Sequence, residues 1–374
     1  MNARARASSR LAPVRGWFGR HQSLSIIAGV ALAGVVLPYL ILLPPFSGFG
    51  TQLDWVDGFA NAGVFVLLAI GLNVVVGLSG LLDLGYAAFF AIGAYTYALA
   101  DSPFSGLHLP FWPMLLVGAL VAGTFGLLLG APTLRLRGDY LAIVTLGFGE
   151  IVPVVFLQSS KYTEGVNGIG GVYTPSLLNY TYPIGDPWPY YLTMAAILAL
   201  VMIFVYRLQD SRLGRAWMAI REDELAAASM GINTVTTKLL AFAIGASTSG
   251  FAGVFLASKV TLVSTDSFHF DTSFTILAMV VLGGMGNIWG VAVGAFLVFE
   301  LQTQGLKQLN SFLGPLNIPV LSSINFLNYQ FLIYGLVLVL MMLSRPEGLF
   351  PSRRRRAELH EAGAEAAVPD VAAE

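Results

Sequence analysis

Long apolar runs alternate along this chain with short polar or glycine-rich breaks. Runs of spanning length lie at about 24–43, 58–76, 84–100, 112–131, 140–157, 190–206 and 239–257, then as a broken pair at 274–282 and 288–301, and last at 326–343. A bilayer core takes roughly 20 apolar residues per helix, so the pattern predicts an all-α integral membrane protein with about ten transmembrane helices. The broken pair sets the count, because Gly283, Gly284 and Gly286 interrupt it. A single re-entrant segment there would change every later orientation. Three regions follow: a basic leader at 1–23, a transmembrane domain at 24–344 and a polar tail at 345–374, read as disordered.

Composition agrees with the pattern. Hydrophobic residues make up 56% of the chain and charged residues 11%, where a soluble domain carries about 25% charged residues. Cysteine is absent, which excludes disulfides, thiolate metal sites and a thiol nucleophile. The net charge of -1 gives no sign of a nucleic-acid partner. The leader holds Arg4, Arg6, Arg10, Arg15 and Arg20 with no acidic residue. A cleaved signal peptide is the competing reading, but the following run is too long and lacks a small-residue cleavage site near its end. Ten passes with both termini cytoplasmic place all sixteen arginines and Lys238 inside, 17 of the 20 basic residues, as the positive-inside rule requires. Arg353 to Arg356 would anchor the last helix to anionic lipid headgroups. Outside, the 158–189 segment reads either as a landing surface for a delivery protein or as a simple covering loop.

One polar island interrupts the middle of the chain, at about 208–237. Arg207, Arg212, Arg215 and Arg221 crowd its first half, and Glu222, Asp223 and Glu224 then open an alanine-rich run that stops at Gly231. Acidic residues suit the positive end of a helix and glycine its far cap, so the spacing predicts a short helix over 223–230, about 12 Å long. Ala226, Ala227, Ala228 and Ser229 leave it slim enough to lie in a partner's groove. A solvated loop with one helical turn is the plainer alternative.

The search for chemistry returns no catalytic residue and no metal site. None of the four lysines follows a glycine, no G-x-S-x-G is present, and His21, His108, His269 and His360 are scattered, so the phosphate-loop, nucleophile-elbow and metal-ligand patterns are all missing. What remains are helix breaks, which lie at membrane depth only where they are buried or line a cavity. One spans 77–85 with Gly77, Gly80, Gly85 and Asp83; the other spans 282–290 with Gly283, Gly284, Gly286 and Asn287. The two share a loose pattern that would suit a parallel repeat. Gly286, Gly290 and Gly294 at four-residue spacing predict a flat helix-packing face. Asn73, Glu150 and Asn287 are the candidates for a translocation path. Glu150 stands eleven residues beyond Asp139, about 16 Å along a helix. At that depth a carboxylate marks either a functional site or a buried hydrogen bond pinning two helices. Asp83 and Asp139 should lie near the inner interface and Glu300 near the outer one.

Five blocks carry a resemblance: residues 71–100 (GLNVVVGLSGLLDLGYAAFFAIGAYTYALA), 134–151 (LRLRGDYLAIVTLGFGEI), 214–246 (GRAWMAIREDELAAASMGINTVTTKLLAFAIGA), 280–299 (VVLGGMGNIWGVAVGAFLVF) and 345–351 (RPEGLFP). Together they resemble the permease subunits of bacterial ABC importers for branched-chain amino acids. The resemblance implies that 24–344 is a permease domain in the bacterial cytoplasmic (inner) membrane, and that Glu222, Asp223, Glu224, Ala226, Ala227 and Gly231 form or flank the coupling helix that docks on an ATPase. Here Leu225 intervenes between the glutamate and the alanines of the family pattern. It further implies two ATP-binding subunits carrying ATP and Mg, a second related permease, an external substrate-binding protein and surrounding lipid, with no cofactor on this chain. Permeases for urea or short amides are similar too. A stand-alone proton-coupled transporter using Glu150, or a membrane scaffold without transport, are the readings from other classes.

Overall fold

The structure, a computed structural model, describes residues 52–103, 106, 108–133, 139–177, 180–305, 329–344 and 348–350, with Val36 and Pro38 ahead of them. The leader, nearly all of the predicted first pass, the turn with Arg135 and Arg137, and the tail from 351 lie outside the described residues.

The apolar helices are α1 (Gln52–Leu72), α2 (Tyr86–Ala100), α3 (Phe111–Thr133), α4 (Asp139–Gln158) and α5 (Pro187–Gln209). The island supplies α6 (Arg212–Glu222) and α7 (Glu224–Ser229). After it come α8 (Thr234–Val260), α9 (Phe270–Gly283), α10 (Ile288–Glu300) and α11 (Gln330–Ser344). Each predicted run from the second to the tenth therefore holds a helix. The island holds two helices where the sequence pattern predicts one. Among the described residues five segments are long and apolar enough to cross a membrane: α3, α5, α8, residues 140–158 of α4, and α1 together with its extension to Leu78. Helices α2, α9 and α10 have 15, 14 and 13 residues, about 20 Å each, short of the roughly 30 Å hydrocarbon core. Helices α9 and α10 fold back on each other as a tight hairpin.

Helix α2 is apolar all round and buried along almost its whole length, as expected of a helix with no solvent or lipid face. It is packed against α3, α4, α8 and α9. Close approach there depends on small residues. A Cβ on Gly93 of α2 would lie 2.6 Å from the Gly250 Cα of α8, and one on Gly250 would lie 2.6 Å from the Gly118 carbonyl oxygen of α3. Backbones so close exclude larger side chains and gain dispersion contact, which holds helices together where lipid removes the hydrophobic drive. On the opposite side of α3, Leu116, Leu120 and Leu128 are exposed and suit hydrocarbon.

Long-range bonds mark both ends of the bundle and also its middle, where Tyr86 Oη donates to the Gly245 carbonyl at 2.8 Å. At one end Lys259 Nζ of α8 pairs with Asp57 Oδ1 of α1 at 2.8 Å and donates to Asn61 Oδ1 at 2.6 Å. That end also carries four two-residue strands: β1 (Ile169–Gly170), β2 (Ser176–Leu177), β3 (Tyr180–Thr181) and β4 (Leu262–Val263). They pair antiparallel, β1 with β4 and β2 with β3, a minor addition to the all-α plan. The 158–189 segment is thus folded down: Trp112 Nε1 donates to the Ser176 carbonyl at 2.9 Å, and Tyr173 N to that of Asp101 at 3.1 Å. The opposite end gathers α6, α7, both glycine-rich breaks and residues 348–350.

Candidate functional site

The tip of the second end is α7. Asp223 Oδ1 accepts from Leu225 N at 2.8 Å and Ala226 N at 3.0 Å, filling two of the helix's orphan donors. At the far end Gly231 has φ +86°, while Gly231 N donates to the Ala228 carbonyl and Ile232 N to that of Ala227, at 3.0 and 3.1 Å. These are the paired bonds of a Schellman stop, so the predicted 223–230 helix lies between its own two caps. Ala227 faces inward; Leu225, Met230 and nearby Val235 are 68%, 84% and 54% exposed, with exposed Ala226, Ala228 and Ser229 among them. Glu224 does not point away with them. Its Oε1 lies 2.6 Å from Lys238 Nζ, whose side chain is only 8% exposed, so it ties α7 to the first turn of α8. Glu222 ends α6 on the exposed side.

Helix α6 was not anticipated from the sequence, although its signals are present. Ser211 caps it, accepting from Gly214 N at 3.3 Å, and Gly214, Trp217 and Ile220 recur at three-residue spacing on its buried face. The arginines between them masked that stripe. Trp217 is fully buried and its Nε1 donates to the Thr237 carbonyl at 2.7 Å, clamping α6 to α8. Arg221 Nη1 donates to the Gly77 carbonyl, and the arginine's stem fills the space beside Gly80, where a Cβ would stand 2.8 Å from Arg221 Cγ.

The two breaks meet each other. Helix α1 runs on as a π-helical turn, Asn73–Leu78, a form concentrated at functional sites. Asn73 is fully buried and its Oδ1 accepts from Gly286 N at 2.8 Å. A Cβ on Gly77 would come within 2.7 Å of Gly286 N. Gly284 and Gly286 have φ +111° and +84° and turn the chain between α9 and α10. Gly290 and Gly294 do form a flat face, and it packs on Gly283: a Cβ on Gly283 would meet the Gly290 carbonyl at 2.6 Å, and one on Gly294 would meet Gly283 N at 2.9 Å. Gly286 lies outside that face because α10 begins only at Ile288. Gly85 touches α4, with Gly149's missing Cβ 2.8 Å from Gly85 Cα. Asn287 caps α10, its Oδ1 accepting from Trp289 N and Gly290 N while Nδ2 donates to the Phe350 carbonyl at 2.9 Å.

The remaining acidic groups divide. Glu150 is exposed on a face of α4 that also presents Tyr140, Ile143, Gly147, Ile151 and Val154. Asp83 and Glu300 are more enclosed than an interface position suggests. Asp83, in the connector before α2, is 1% exposed. Its Oδ1 accepts from Gly85 N at 2.9 Å, and Oδ2 is buried with no partner among the described residues. Burial lifts its carboxyl to about 7, partly offset by the Gly85 and Thr145 bonds. Both Glu300 oxygens are likewise buried and unpartnered, beside Gly58. Among the described residues no three His, Asp or Glu side chains converge as a metal site would need.

Comparison with known proteins places this arrangement. A family described as branched-chain amino acid transport system / permease component matches residues 55–342. The high-affinity branched-chain amino acid transport system permease protein LivM of Escherichia coli K12 is 40% identical over 364 residues, covering 92% of this chain and 78% of its own length. LivH of the same strain, titled as a permease protein of the same transport system, is 26% identical, covering 65% and 82%. The autoinducer 2 import system permease protein LsrC of Yersinia pseudotuberculosis is 29% identical, covering 75% of each chain. No solved structure matches. The chain belongs to the family of permease components of branched-chain amino acid transport systems.

Proposed function

We propose that this multi-pass membrane protein is the permease subunit of an ATP-driven importer for branched-chain or similar hydrophobic amino acids in a bacterial inner membrane. The observation that carries the reading is α7, a doubly capped finger with Leu225 and Met230 presented outward and left uncovered among the described residues. Large exposed apolar side chains grouped beside polar ones are the mark of a protein contact. Two ATP-binding subunits, carrying ATP and Mg, would dock there, and their closure would move α7. A second related permease would stand beside the chain, as LivM and LivH share one system's title. An external binding protein would deliver the substrate to the opposite end, at the surface built by the β ladders.

Of the path candidates, Glu150 suits the path itself, because a carboxylate turned out of the bundle at mid-membrane is tolerated against water or protein but is costly against lipid. Asn287 suits a positioning role, since both ends of its amide are held by backbone; Asn73 is held by backbone at Oδ1 alone, its Nδ2 being buried without a partner among the described residues. The test is purification from native membranes in mild detergent, followed by ATP hydrolysis with and without leucine-loaded binding protein. Co-purifying ATP-binding subunits with stimulated hydrolysis are expected. Stimulation only by urea, amides or autoinducer-type ligands would reassign the substrate. A chain that purifies alone and takes up substrate on a proton gradient would overturn the importer reading in favour of a carrier using Glu150.

A further inference from the structure

The docking finger and the two helix breaks are separate features in the sequence, but one side chain joins them. Arg221 stands two residues before Asp223, the cap of α7, and its guanidinium donates to the carbonyl of Gly77. That carbonyl belongs to the π-helical turn, near the C-terminal end of a long helix, where partial negative charge collects and a cation is favoured. Contact continues on the other side of the turn. Asn73, its first residue, accepts from Gly286 N, and Gly77 itself leaves no room for a Cβ against the same nitrogen. Gly286 lies at positive φ in the turn that joins α9 to α10.

We propose that Arg221 and Asn73 are the transmission residues of the importer, carrying movement of α6 and α7 through the π-helical turn into the hinge between α9 and α10. The inference rests on the importer reading and adds the route by which the docking surface acts on the membrane helices. The route has few parallels among the described residues. Trp217 and Glu224 bind α6 and α7 to the first turns of α8, but α8 is a 27-residue helix closely packed against α3 through Gly250 and α2 through Gly253, which suits a fixed frame; its Gly245 is the surface against which Val75 of the π-helical turn and Gly71 of α1 rest. The π-helical turn is different, since it holds a register an α-helix would not keep without support. Its carbonyl at Gly77 is supported by α6, so a displacement of α6 alters the turn and with it the bond to Gly286.

The importer, reconstituted with all its subunits in liposomes, provides the test. The chain has no cysteine, so engineered cysteines in otherwise cysteine-free partners carry spin labels at chosen sites only. One pair, Leu128 with Arg212, reports α6 against the frame; the other, Leu128 with Trp289, reports the hinge. All three residues are exposed. In the parent chain nucleotide should shift both distances. With Arg221→Ala only the first pair should respond, ATP hydrolysis should persist, and amino acid imported per ATP should fall about tenfold, the effect of one charge-assisted hydrogen bond. Asn73→Ala should lower the same ratio, and the double variant no further than the worse single one, since two residues on one route are not additive. Arg221→Lys, which keeps the charge, should recover part of it. A hinge label that still moves in Arg221→Ala, or losses that multiply in the double variant, would overturn the proposal. A parent complex that neither hydrolyses ATP on delivery nor imports would instead overturn the importer reading beneath it.

Discussion

At the scale of single residues, Asp83 and Glu150 show how far burial decides what a carboxylate does. Asp83 lies in a connector that folds back into the bundle, where Leu84 N reaches Thr145 Oγ1 at 3.1 Å. Burial pushes its carboxyl up to about 7 from 3.8 when free. The native state therefore binds more protons than the unfolded one between those values. The protonated group's contribution is complete below about pH 4 and is lost as pH rises through about 7. Thermal unfolding in detergent should show the midpoint falling between about pH 4 and 7, and Asp83→Asn should flatten that fall; an unchanged slope would mean the carboxyl is charged in the fold. Glu150 is the reverse case, an acid on the outside of its chain. Glu150→Gln should leave assembly and basal ATP hydrolysis near parent levels and cut uptake about tenfold, one charged contact to a zwitterion. Uptake by vesicles and co-purification of partners measure the two effects separately. Its position on a helix was legible from the interval after Asp139, but not its orientation. A helix apolar on every side carries no stripe that says which face is lipid and which is protein.

At the scale of elements, α7 was readable because capping is local chemistry. Asp223, the alanines and Gly231 lie within nine consecutive residues and determine the helix among themselves. Helix α6 was missed because its buried stripe is only three residues deep and its arginines, read as solvated charge, partly serve structure. The meeting of the breaks was not legible either: Asn73 and Gly286 are 213 residues apart, and only tertiary packing brings them together. The Glu224–Lys238 pair permits a sharp test of what the acidic residue does. Lys238 is nearly buried and Glu224 is 35% exposed, so Glu224→Lys should cost about 1–2 kcal/mol, between the ranges for exposed and buried pairs, and uncouple hydrolysis from uptake. The exchanged pair Glu224→Lys with Lys238→Glu should restore coupling if the pair works inside the chain. Failure of the exchange, with stability regained, would mean that Glu224 itself touches the ATPase.

At the scale of the whole molecule, glycines distinguish the surfaces this chain uses internally from those it offers to others. On α8 a Cβ at Gly250 would stand 2.6 Å from the Gly118 carbonyl, 2.8 Å from Ala122 Cβ and 2.9 Å from Ala119 Cα. Two of those three atoms are backbone, so α3 would have to shift. Gly250→Ala should therefore destabilise the chain by about 1–3 kcal/mol, the usual cost of overpacking, read as a lower unfolding midpoint in detergent. Among the described residues nothing lies within 4 Å of the missing side chain of Gly147, yet it lies one helical turn from Glu150 on the same exposed face of α4. If that face met lipid, Gly147→Leu would add apolar surface at no cost, and a carboxylate would not be beside it. If it meets the second permease, the added leucine occupies space the partner needs. Gly147→Leu should then leave the isolated chain's unfolding midpoint unchanged or raise it by a few degrees, since replacing a glycine inside a helix removes a cost of about 0.5–1 kcal/mol. Recovery of the paired permease should fall at least threefold. Equal recovery would assign the α4 face to lipid and leave Glu150 without the protein or aqueous neighbour that its charge requires.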